Sequence, residues 1–308
     1  MRPKASLEER AYDPSDYLWA FSPDGHWLVE IFYSEGARAW HLDADGKPSP
    51  PLSFSFQATH SDEITALAIS PDNHWIATGD KDGNSRLWKL RAPSSKPVPL
   101  VNHRGKVSSL AFDQTGRLVA TAGSDGQVRI FDLSQSQTPR MLPGFPVNRG
   151  EQVTALAFLS DGRLAMASSN GRILLWGPGR EMMLESTGIE IGDLISSSNG
   201  SRLAGSTKDG HVEIWYSDVK GNLIPGPVEV GDFDDRPISR FSFTPNGDGL
   251  LTSSSLGILH WELNIDHLLK IACRVAGRNL TEREWKEYIP SEPYQEREPC
   301  PDSLKAFD

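Results

Sequence analysis

A pattern of three short apolar strands and two tight turns occurs six times along this chain. Every copy ends its third strand on an aromatic side chain, and these side chains recur at intervals of 39 to 48 residues. The six are Trp40, Trp88, Phe131, Trp176, Trp215 and Trp261. A unit this short cannot bury its own apolar faces, so neighbouring copies must pack against one another. The chain is therefore predicted to form one all-β repeat domain.

The second copy shows the internal order of a unit. Strands are predicted over residues 64–69, 75–79 and 86–88, with turns at 70–73 and 81–83. The Asp, Asn and Gly residues of the turns favour chain reversal, which makes the three strands a meander. Proline-containing stretches between copies can add a fourth strand at the sheet edge, where no neighbour needs an N–H. We expect a β-propeller with six four-stranded blades. The sequence does not exclude a seventh blade that is incomplete.

Motifs within the copies resemble those of the WD-repeat β-propeller family. They are Phe21-Ser22-Pro23-Asp24-Gly25, Ile69-Ser70-Pro71-Asp72-Asn73, Arg86-Leu87-Trp88 and Arg129-Ile130-Phe131-Asp132. Only Phe131-Asp132 has the terminal aspartate of the family's motif. The resemblance extends from about Asp16 to Leu263 and implies a propeller that acts by binding other proteins.

The resemblance also implies a hydrogen-bonded tetrad within a blade, made of a loop His, a strand Ser or Thr, a turn Asp and a strand Trp. In the second copy these are His60, Thr78, Asp82 and Trp88. A partial tetrad in the third copy is His103, Thr121 and Asp125. The third copy is incomplete because Phe131 has no N–H to donate. The second blade is therefore predicted to be the stiffest.

A histidine, an aspartate and a threonine hydroxyl are also the residue types of a catalytic base, its orienting group and a nucleophile. We favour the structural interpretation, because degraded versions of the same set recur in other copies. The fourth copy has Ser168, Asn170 and Trp176 without an obvious histidine, the fifth has Gly205 at the hydroxyl position, and the sixth has Leu256 in place of the aspartate.

Charge and motif content exclude several function classes. The formal net charge is −10, and the sequence has no cluster of Lys and Arg that would form a local positive patch. Nucleic acid is therefore not an expected partner. The eight histidines do not fall at metal-ligand spacings, and no phosphate-binding or nucleophile motif occurs. We predict no catalytic residue, cofactor or metal. No signal peptide or membrane span is visible, so a cytoplasmic location is expected.

The two ends depart from the repeat. We expect an N-terminal segment over residues 1–15, in which Ser6 to Ala11 can donate a closing outer strand, and the propeller over residues 16–264. Residues 265–308 are predicted to form a C-terminal helical extension followed by a tail rich in Pro and charged residues. Helical spacing predicts one helix over 266–277, and a capping box that begins at Thr281 predicts a second, to about Ile289. The redox state of Cys273 and Cys300 stays open.

The C-terminal sequence carries a further resemblance. Residues 269–281, Trp285, Tyr288 and Cys300-Pro301 resemble the ending of bacterial WD-repeat proteins. In that group the propeller commonly follows a signal-transduction NTPase or a caspase-like protease on one chain. The resemblance implies a terminal recognition module whose partners are proteins and can include such an effector.

Two functions remain after these exclusions. The leading hypothesis is a non-catalytic protein-interaction or sensor scaffold whose binding surface is built from loops. Candidate loop residues are His60, Asp80-Lys81, His103, Ser124 and Lys208. The alternative is a hydrolase or lyase with its site in the central channel. That site needs carboxylates or histidines on the innermost strands, whereas the residues there are Ala66, Ala68, Ser109, Ala111, Ala155 and Ala157. The partner, the oligomeric state and whether the chain is a fragment stay open.

Overall fold

The structure is a computed structural model that describes most of the repeat region. The described residues are 17–32, 36–56, 60, 63–134, 138–142, 151–177, 180–184, 188–198, 200–217, 223, 227–230, 238, 240–254, 257–264 and 281–283. The predicted segment 1–15 and helix 266–277 lie outside these residues, as does most of the second predicted helix, in which only Glu282 and Arg283 are described as helical.

Six separate sheets follow one another along the chain. The first contains β1 (Tyr17–Phe21), β2 (Trp27–Phe32), β3 (Gly36–His41) and β4 (Leu52–Phe54). The second contains β5 (Ile64–Ile69), β6 (Trp75–Asp80), β7 (Ser85–Lys89) and β8 (Val98–Pro99). The third contains β9 (Val107–Phe112), β10 (Leu118–Gly123), β11 (Val128–Asp132) and β12 (Arg140–Met141).

The remaining three sheets repeat this order. The fourth contains β13 (Val153–Phe158), β14 (Leu164–Ser168), β15 (Ile173–Gly177) and β16 (Arg180–Leu184). The fifth contains β17 (Ile191–Ser196), β18 (Arg202–Thr207), β19 (Val212–Tyr216) and β20 (Val228–Val230). The sixth contains β21 (Arg240–Phe243), β22 (Gly249–Ser254) and β23 (Gly257–Glu262), three strands within the described residues. The prediction of six all-β meander sheets is confirmed.

Every strand pair whose register the structure describes is antiparallel, and the turns fix the register. In the second sheet Leu67 lies opposite Thr78, and Thr78 lies opposite Arg86. A meander places alternate connections at opposite ends of the sheet. The β5–β6 turn and the β7–β8 connection therefore share one end, which we call the first edge. The β6–β7 turn and the loop before β9 share the other end, which we call the second edge.

The core lies between consecutive sheets. Val29 and Ile31 of β2 and Ile76 and Trp88 of the second sheet belong to one buried cluster. All six residues of β6 are buried, because neighbouring sheets cover both of its faces. Burial of this kind removes apolar surface from water at about 25 cal/mol per Å², the main favourable contribution to folding.

Hydrogen bonds also join the first strands of neighbouring sheets. Thr65 Oγ1 donates to the carbonyl of Val107 at 2.6 Å, and Ser108 Oγ donates to the carbonyl of Val153 at 2.5 Å. The second, third and fourth sheets are thereby linked in series. These sheets belong to the first of two compact units, which holds residues 1–183 and 188–194, whereas the second holds 184–187 and 195–308. Within the described residues, no helix has the length and apolar character needed to cross a bilayer.

Candidate functional site

A continuous chain of hydrogen bonds crosses the second sheet at its second edge. His60, from the loop before β5, places Nε2 2.7 Å from Thr78 Oγ1 on β6. Trp88 Nε1, on β7, donates to the same Thr78 oxygen at 2.8 Å. On the other side of the ring, His60 Nδ1 lies 2.8 Å from Oδ2 of Asp80. A loop, a middle strand and a third strand are thus joined by four side chains.

The chemistry of the donors sets the direction of every bond in this network. An indole N–H can only donate, so Thr78 Oγ1 accepts from Trp88 and turns its own proton to His60 Nε2. Nδ1 then carries the imidazole proton and donates to Asp80. Burial lowers the pKa of His60, and its bond to Asp80 acts in the opposite direction without reversing the shift. The ring is therefore neutral near pH 7.

The carboxylate of this network is Asp80, whereas the sequence predicted Asp82. Asp80 ends β6 and is fully buried, while Asp82 lies exposed in the following turn. Asp80 also accepts from the backbone N–H of Asn84 at 2.7 Å and from Asn84 Nδ2 at 2.8 Å. Burial acts to raise the pKa of Asp80, but the bonds from His60 and Asn84 outweigh it, so that pKa lies below its ordinary value.

The structure brings His103, Thr121 and Asp125 together in the third sheet. His103 Nδ1 lies 2.9 Å from Asp125 Oδ1, and Nε2 lies 2.8 Å from Thr121 Oγ1. Here the carboxylate comes from the turn, because Gly123 occupies the position of Asp80. A Cβ at Gly123 would lie 2.5 Å from the His103 ring. The ring therefore occupies the space of that side chain, and the turn aspartate reaches it instead.

A cation accompanies the second network. The Arg129 guanidinium lies 2.5 Å from His103 Nδ1 and 3.4 Å from Asp125 Oδ2. Burial lowers the pKa of His103, and the charge of Arg129 acts in the same direction. Burial acts to raise the pKa of Asp125, but bonds from the backbone of Arg104 and from His103 outweigh it and lower that pKa to about 2. Asp125 is consequently ionised throughout the physiological range.

Remnants of the tetrad occur in other sheets. In the sixth, Trp261 Nε1 donates to Thr252 Oγ1 at 2.8 Å. In the fourth, Ser168 Oγ donates to Asn170 Oδ1 at 2.6 Å. In the fifth, the hydroxyl of Thr207 donates to Asp209. By strand register, Thr252 stands at the position of Thr78, whereas Ser168 and Thr207 stand at that of Asp80. These sheets thus keep single hydrogen bonds of the network where the full set is missing.

The two histidine networks offer little to a substrate. Thr78 and Thr121 are fully buried, and His60 and His103 are 7% and 4% exposed. A nucleophile must reach the reacting atom of its substrate at about 3 Å, which these hydroxyls cannot do without opening of the sheet. What the networks do is fix the loops before β5 and β9 on their sheets.

The predicted loop surface is therefore divided. His60, His103 and Asp80 are buried, Lys81 and Lys208 are exposed, and Ser124 is half-buried. Arg104 and Lys106, which sequence reasoning did not single out, are also exposed at the second edge. Within the described residues, no cluster of three or more His, Cys, Asp or Glu side chains is arranged to hold a metal ion.

A concave site lies at the first edge, where sequence reasoning predicted none. Its volume is about 410 Å³, and it is lined by residues 72–75, Lys89, Arg91, Ala92 and Leu133. We call it the Trp75 pocket. The lining comes from the β5–β6 turn and the start of β6, from the end of β7 and the connection that follows it, and from the residue after β11, so no single stretch of sequence reveals it. The available signal was the repeated Ser-Pro-Asp-x-His-Trp of residues 22–27 and 70–75, which places both tryptophans beside this edge.

The turn at the first edge is held rigidly. Ser70 Oγ donates to Asp72 Oδ1 at 2.5 Å, and the backbone N–H of Trp75 donates to Ser70 Oγ at 2.8 Å. Asn73 Nδ2 donates to Asp24 Oδ2 of the neighbouring turn at 2.5 Å. Arg91 lies over the Trp27 ring at 5.9 Å, within the range of a cation–π interaction. The pocket walls are thus preformed.

Comparison with known proteins agrees with this architecture. Residues 52–89, 96–132 and 142–177 match the WD domain, G-beta repeat. Protein LST8 homolog of Drosophila pseudoobscura pseudoobscura is 30% identical over 173 residues, 52% of this chain and 53% of that protein. The guanine nucleotide-binding protein subunit beta of Oryza sativa subsp. indica is 30% identical over 128 residues, 37% of this chain and 33% of that protein. The chain thus spans about half the length of the first relative and a third of the second.

A solved structure extends the likeness beyond the matched repeats. The β-propeller domain of Myceliophteria thermophila Cps50 (Swd1) is similar with a TM-score of 0.62 at 16% sequence identity, over 80% of this chain and 83% of that domain. At this identity the likeness concerns the fold alone. The chain carries WD repeats on an all-β, six-bladed β-propeller fold.

Proposed function

We propose that this chain is a non-catalytic scaffold that binds other proteins. The observation that carries the proposal is that its two histidine networks are buried and bonded to strand and loop groups, so they hold loops in place. Rigid sheets that present varied loops are suited to recognition, because the loops lose little conformational entropy when a partner binds. One relative is by its printed name a subunit, the guanine nucleotide-binding protein subunit beta, which supports a role in assembly.

The experiment is affinity capture with the tagged chain from its source cell, followed by reconstitution with the purified partner. We expect a protein that is retained in stoichiometric amount and binds the purified chain at micromolar concentration or tighter, about −8 kcal/mol. An unrelated tagged propeller serves as the control. Recovery of the same proteins by both baits would contradict the proposal.

The first strands argue against the channel enzyme. Ala66, Ala155 and Ala157 are buried and carry no group for acid–base or nucleophilic chemistry. A broad hydrolase screen on the purified chain checks this inference. Turnover that co-purifies with the chain and is lost on mutation of a first-strand residue would overturn the scaffold proposal.

A finer part of the proposal concerns the assembly in which the scaffold works. We propose a bacterial signalling or defence assembly with an NTPase or a caspase-like protease as partner, supported by the sequence resemblance of residues 269–301. The relatives described above are eukaryotic, so this part depends on the C-terminal sequence alone. Identification of the captured partner tests it, and a partner of any other class would contradict it while leaving the scaffold role intact.

A further inference from the structure

The Trp75 pocket combines an apolar floor with two cations at its rim. Trp75 is almost buried and lines the pocket together with Leu133, whereas Lys89 and Arg91 are exposed. Within the part of the chain that the structure describes, neither Lys89 nor Arg91 lies within ion-pairing distance of a carboxylate. In a chain of net charge −10, two such cations beside a tryptophan are a local reversal of charge.

Two acidic residues at the pocket, Asp72 in its lining and Asp132 beside it, already have partners. Asp72 lies 3.3 Å from His74 Nδ1 and accepts the Ser70 hydroxyl. Asp132, next to Leu133, is bonded to Arg117 Nη2 at 3.0 Å, and that bond holds the pKa of Asp132 well below its ordinary value. These carboxylates are engaged with groups other than Lys89 and Arg91, which leaves the two rim cations available to an added anion.

The dimensions indicate what size of group fits. A volume of about 410 Å³ is at the small end of ligand pockets and suits one or two side chains rather than a folded surface. An indole floor favours an aromatic or large aliphatic side chain, since aromatic contact adds to the gain from apolar burial. The rim cations favour a carboxylate immediately beside that side chain.

We propose that the Trp75 pocket binds an acidic segment of a protein partner, in which an aromatic or large aliphatic side chain adjoins Asp or Glu. This inference deepens the scaffold function and rests on it. The apolar side chain fills the pocket above Trp75, and the neighbouring carboxylate pairs with Lys89 or Arg91. Repulsion from the rest of the acidic chain is screened beyond about 8 Å at physiological salt, so the local pair of cations decides the interaction.

A nucleic acid is the less suitable anion. A phosphate backbone gains its affinity from a row of cations that each neutralise one phosphate, whereas this rim offers two beside the engaged Asp72. A peptide needs only one or two charged contacts around an apolar anchor.

The test starts from a random-peptide phage library selected on the full chain, and the recovered peptides are then synthesised with a fluorescent label. Binding is measured by anisotropy to the wild type, to Lys89→Glu/Arg91→Glu and to Arg104→Glu/Lys106→Glu. The last variant makes the same charge change on exposed cations at the second edge. All substituted side chains are exposed, and the milder Lys89→Gln/Arg91→Gln variant guards against misfolding, with thermal midpoints measured for each protein.

We expect the selected peptides to carry Asp or Glu beside an aromatic or aliphatic residue. Their affinity should fall about tenfold or more in the first-edge variants and stay within about twofold in the second-edge control. Recovery of no peptides, recovery of peptides without acidic residues, or equal losses in both charge reversals would overturn the proposal. So would a labelled single-stranded oligonucleotide that binds the wild type more tightly than the peptides and loses affinity in the first-edge variant.

Affinity capture with the tagged chain distinguishes failure of the pocket from failure of the scaffold function. A partner retained equally by the wild type and by Lys89→Glu/Arg91→Glu would refute the pocket and leave the scaffold standing. A wild-type chain that retains no partner would refute the scaffold and the pocket with it.

Discussion

Asp80 receives hydrogen bonds from His60 and Asn84 where water does not reach. Asparagine in its place turns an NH₂ group toward one of these donors. Asp80→Asn is therefore expected to lower the free energy of unfolding by about 1–3 kcal/mol, the cost of a buried polar group left without its partner. Urea denaturation followed by tryptophan fluorescence measures the change.

The matched control for this substitution is Asp82→Asn, two residues along the chain. Asp82 is exposed, and exposed substitutions usually change the free energy of unfolding by less than about 0.5 kcal/mol. An equal or larger loss from Asp82→Asn would show that Asp82, not Asp80, completes the network.

The buried imidazoles make stability depend on pH. Burial lowers the pKa of His60 and His103 in the folded state, whereas the unfolded chain titrates near 6.5. The folded state thus resists protonation, so the stabilisation is complete above about pH 6.5 and is lost progressively below it. We expect the thermal midpoint of unfolding to decrease as the pH is lowered from about 7.5 to about 5.5. In His60→Gln/His103→Gln most of that slope should disappear, and an unchanged slope would contradict this assignment.

The aspartates act at lower pH. Asp80 and Asp125 have lowered pKa values, that of Asp125 about 2, against about 3.9 in the unfolded chain. Their contribution is present above the unfolded pKa and is lost as the pH falls toward the folded value. We expect a second decrease of the thermal midpoint below about pH 4. It should be smaller in Asp125→Asn, and the same decrease in that variant would contradict the prediction.

At the scale of elements, alanine substitutions at two turn glycines distinguish the cost of backbone strain from the cost of a lost contact between neighbouring sheets. Gly83 has φ +93°, and an added Cβ would collide with the carbonyl of His103, whose N–H donates to Gly83 O at 2.9 Å. Gly162 has φ +83°, and nothing lies within 4 Å of a Cβ there. Each alanine substitution is expected to lower the free energy of unfolding by about 1 kcal/mol, because alanine disfavours the left-handed backbone conformation. We expect Gly83→Ala to cost about 1–3 kcal/mol more, as measured by urea denaturation, because the loop that carries His103 must move.

Equal losses from Gly83→Ala and Gly162→Ala would show that the turn of the second sheet does not determine the position of the loop before β9. A larger loss at Gly162 would contradict the prediction outright. Because both substitutions replace glycine by alanine, their effects on the entropy of the unfolded chain are similar and cancel in the comparison.

The sequence predicts the middle and third strands well because their apolar runs lie between Asp-Gly or Asn-Gly turns. It did not locate β17 or β21. Gly192 and Asp193 interrupt the apolar run of β17, and Arg240–Phe243 is only four residues long. The outer strands of two or three residues are too short to show a period. Strand pairing then depends on the neighbouring sheet edge, which a local pattern does not contain.

The site was less predictable than the fold. The histidine and threonine positions of both networks follow from the repeat, but the repeat does not show that Asp80 at the end of β6, rather than the turn position filled by Asp125 in the third sheet, supplies the carboxylate. The Trp75 pocket joins residues as far apart in sequence as Asp72 and Leu133. Only the packing of the second sheet against the third brings them together.

At the scale of the whole molecule, Arg202 connects segments of the second compact unit that are far apart in sequence. Its guanidinium donates to the carbonyl of Gly247 at 2.6 Å and to that of Leu263 at 2.9 Å, and it lies 5.6 Å from the Tyr216 ring. Arg202→Met would leave both carbonyls without this donor. We expect the amides of β18–β23 to exchange with deuterium about tenfold faster or more, as measured by mass spectrometry, with the first unit as internal reference.

Arg202→Lys is the matched variant, because it keeps the charge but lacks the planar fork that reaches two carbonyls. Its exchange rates should lie between those of the wild type and Arg202→Met. Faster exchange of the same size in both units would contradict a local role for Arg202.

The delivery of a carboxylate from two different positions has a consequence for how such chains diverge. When the second and third copies are aligned, Asp80 lies two positions before the residue that corresponds to Asp125. Each of these aspartates nevertheless bonds to Nδ1 of the histidine in its own sheet. After duplication of a repeat, a nearby residue in one copy can thus supply the carboxylate while the contact between carboxylate oxygen and imidazole nitrogen is kept. Comparison column by column counts such copies as decayed. Comparison by the atom that each copy supplies places both copies in one class, because each delivers a carboxylate oxygen to a histidine Nδ1.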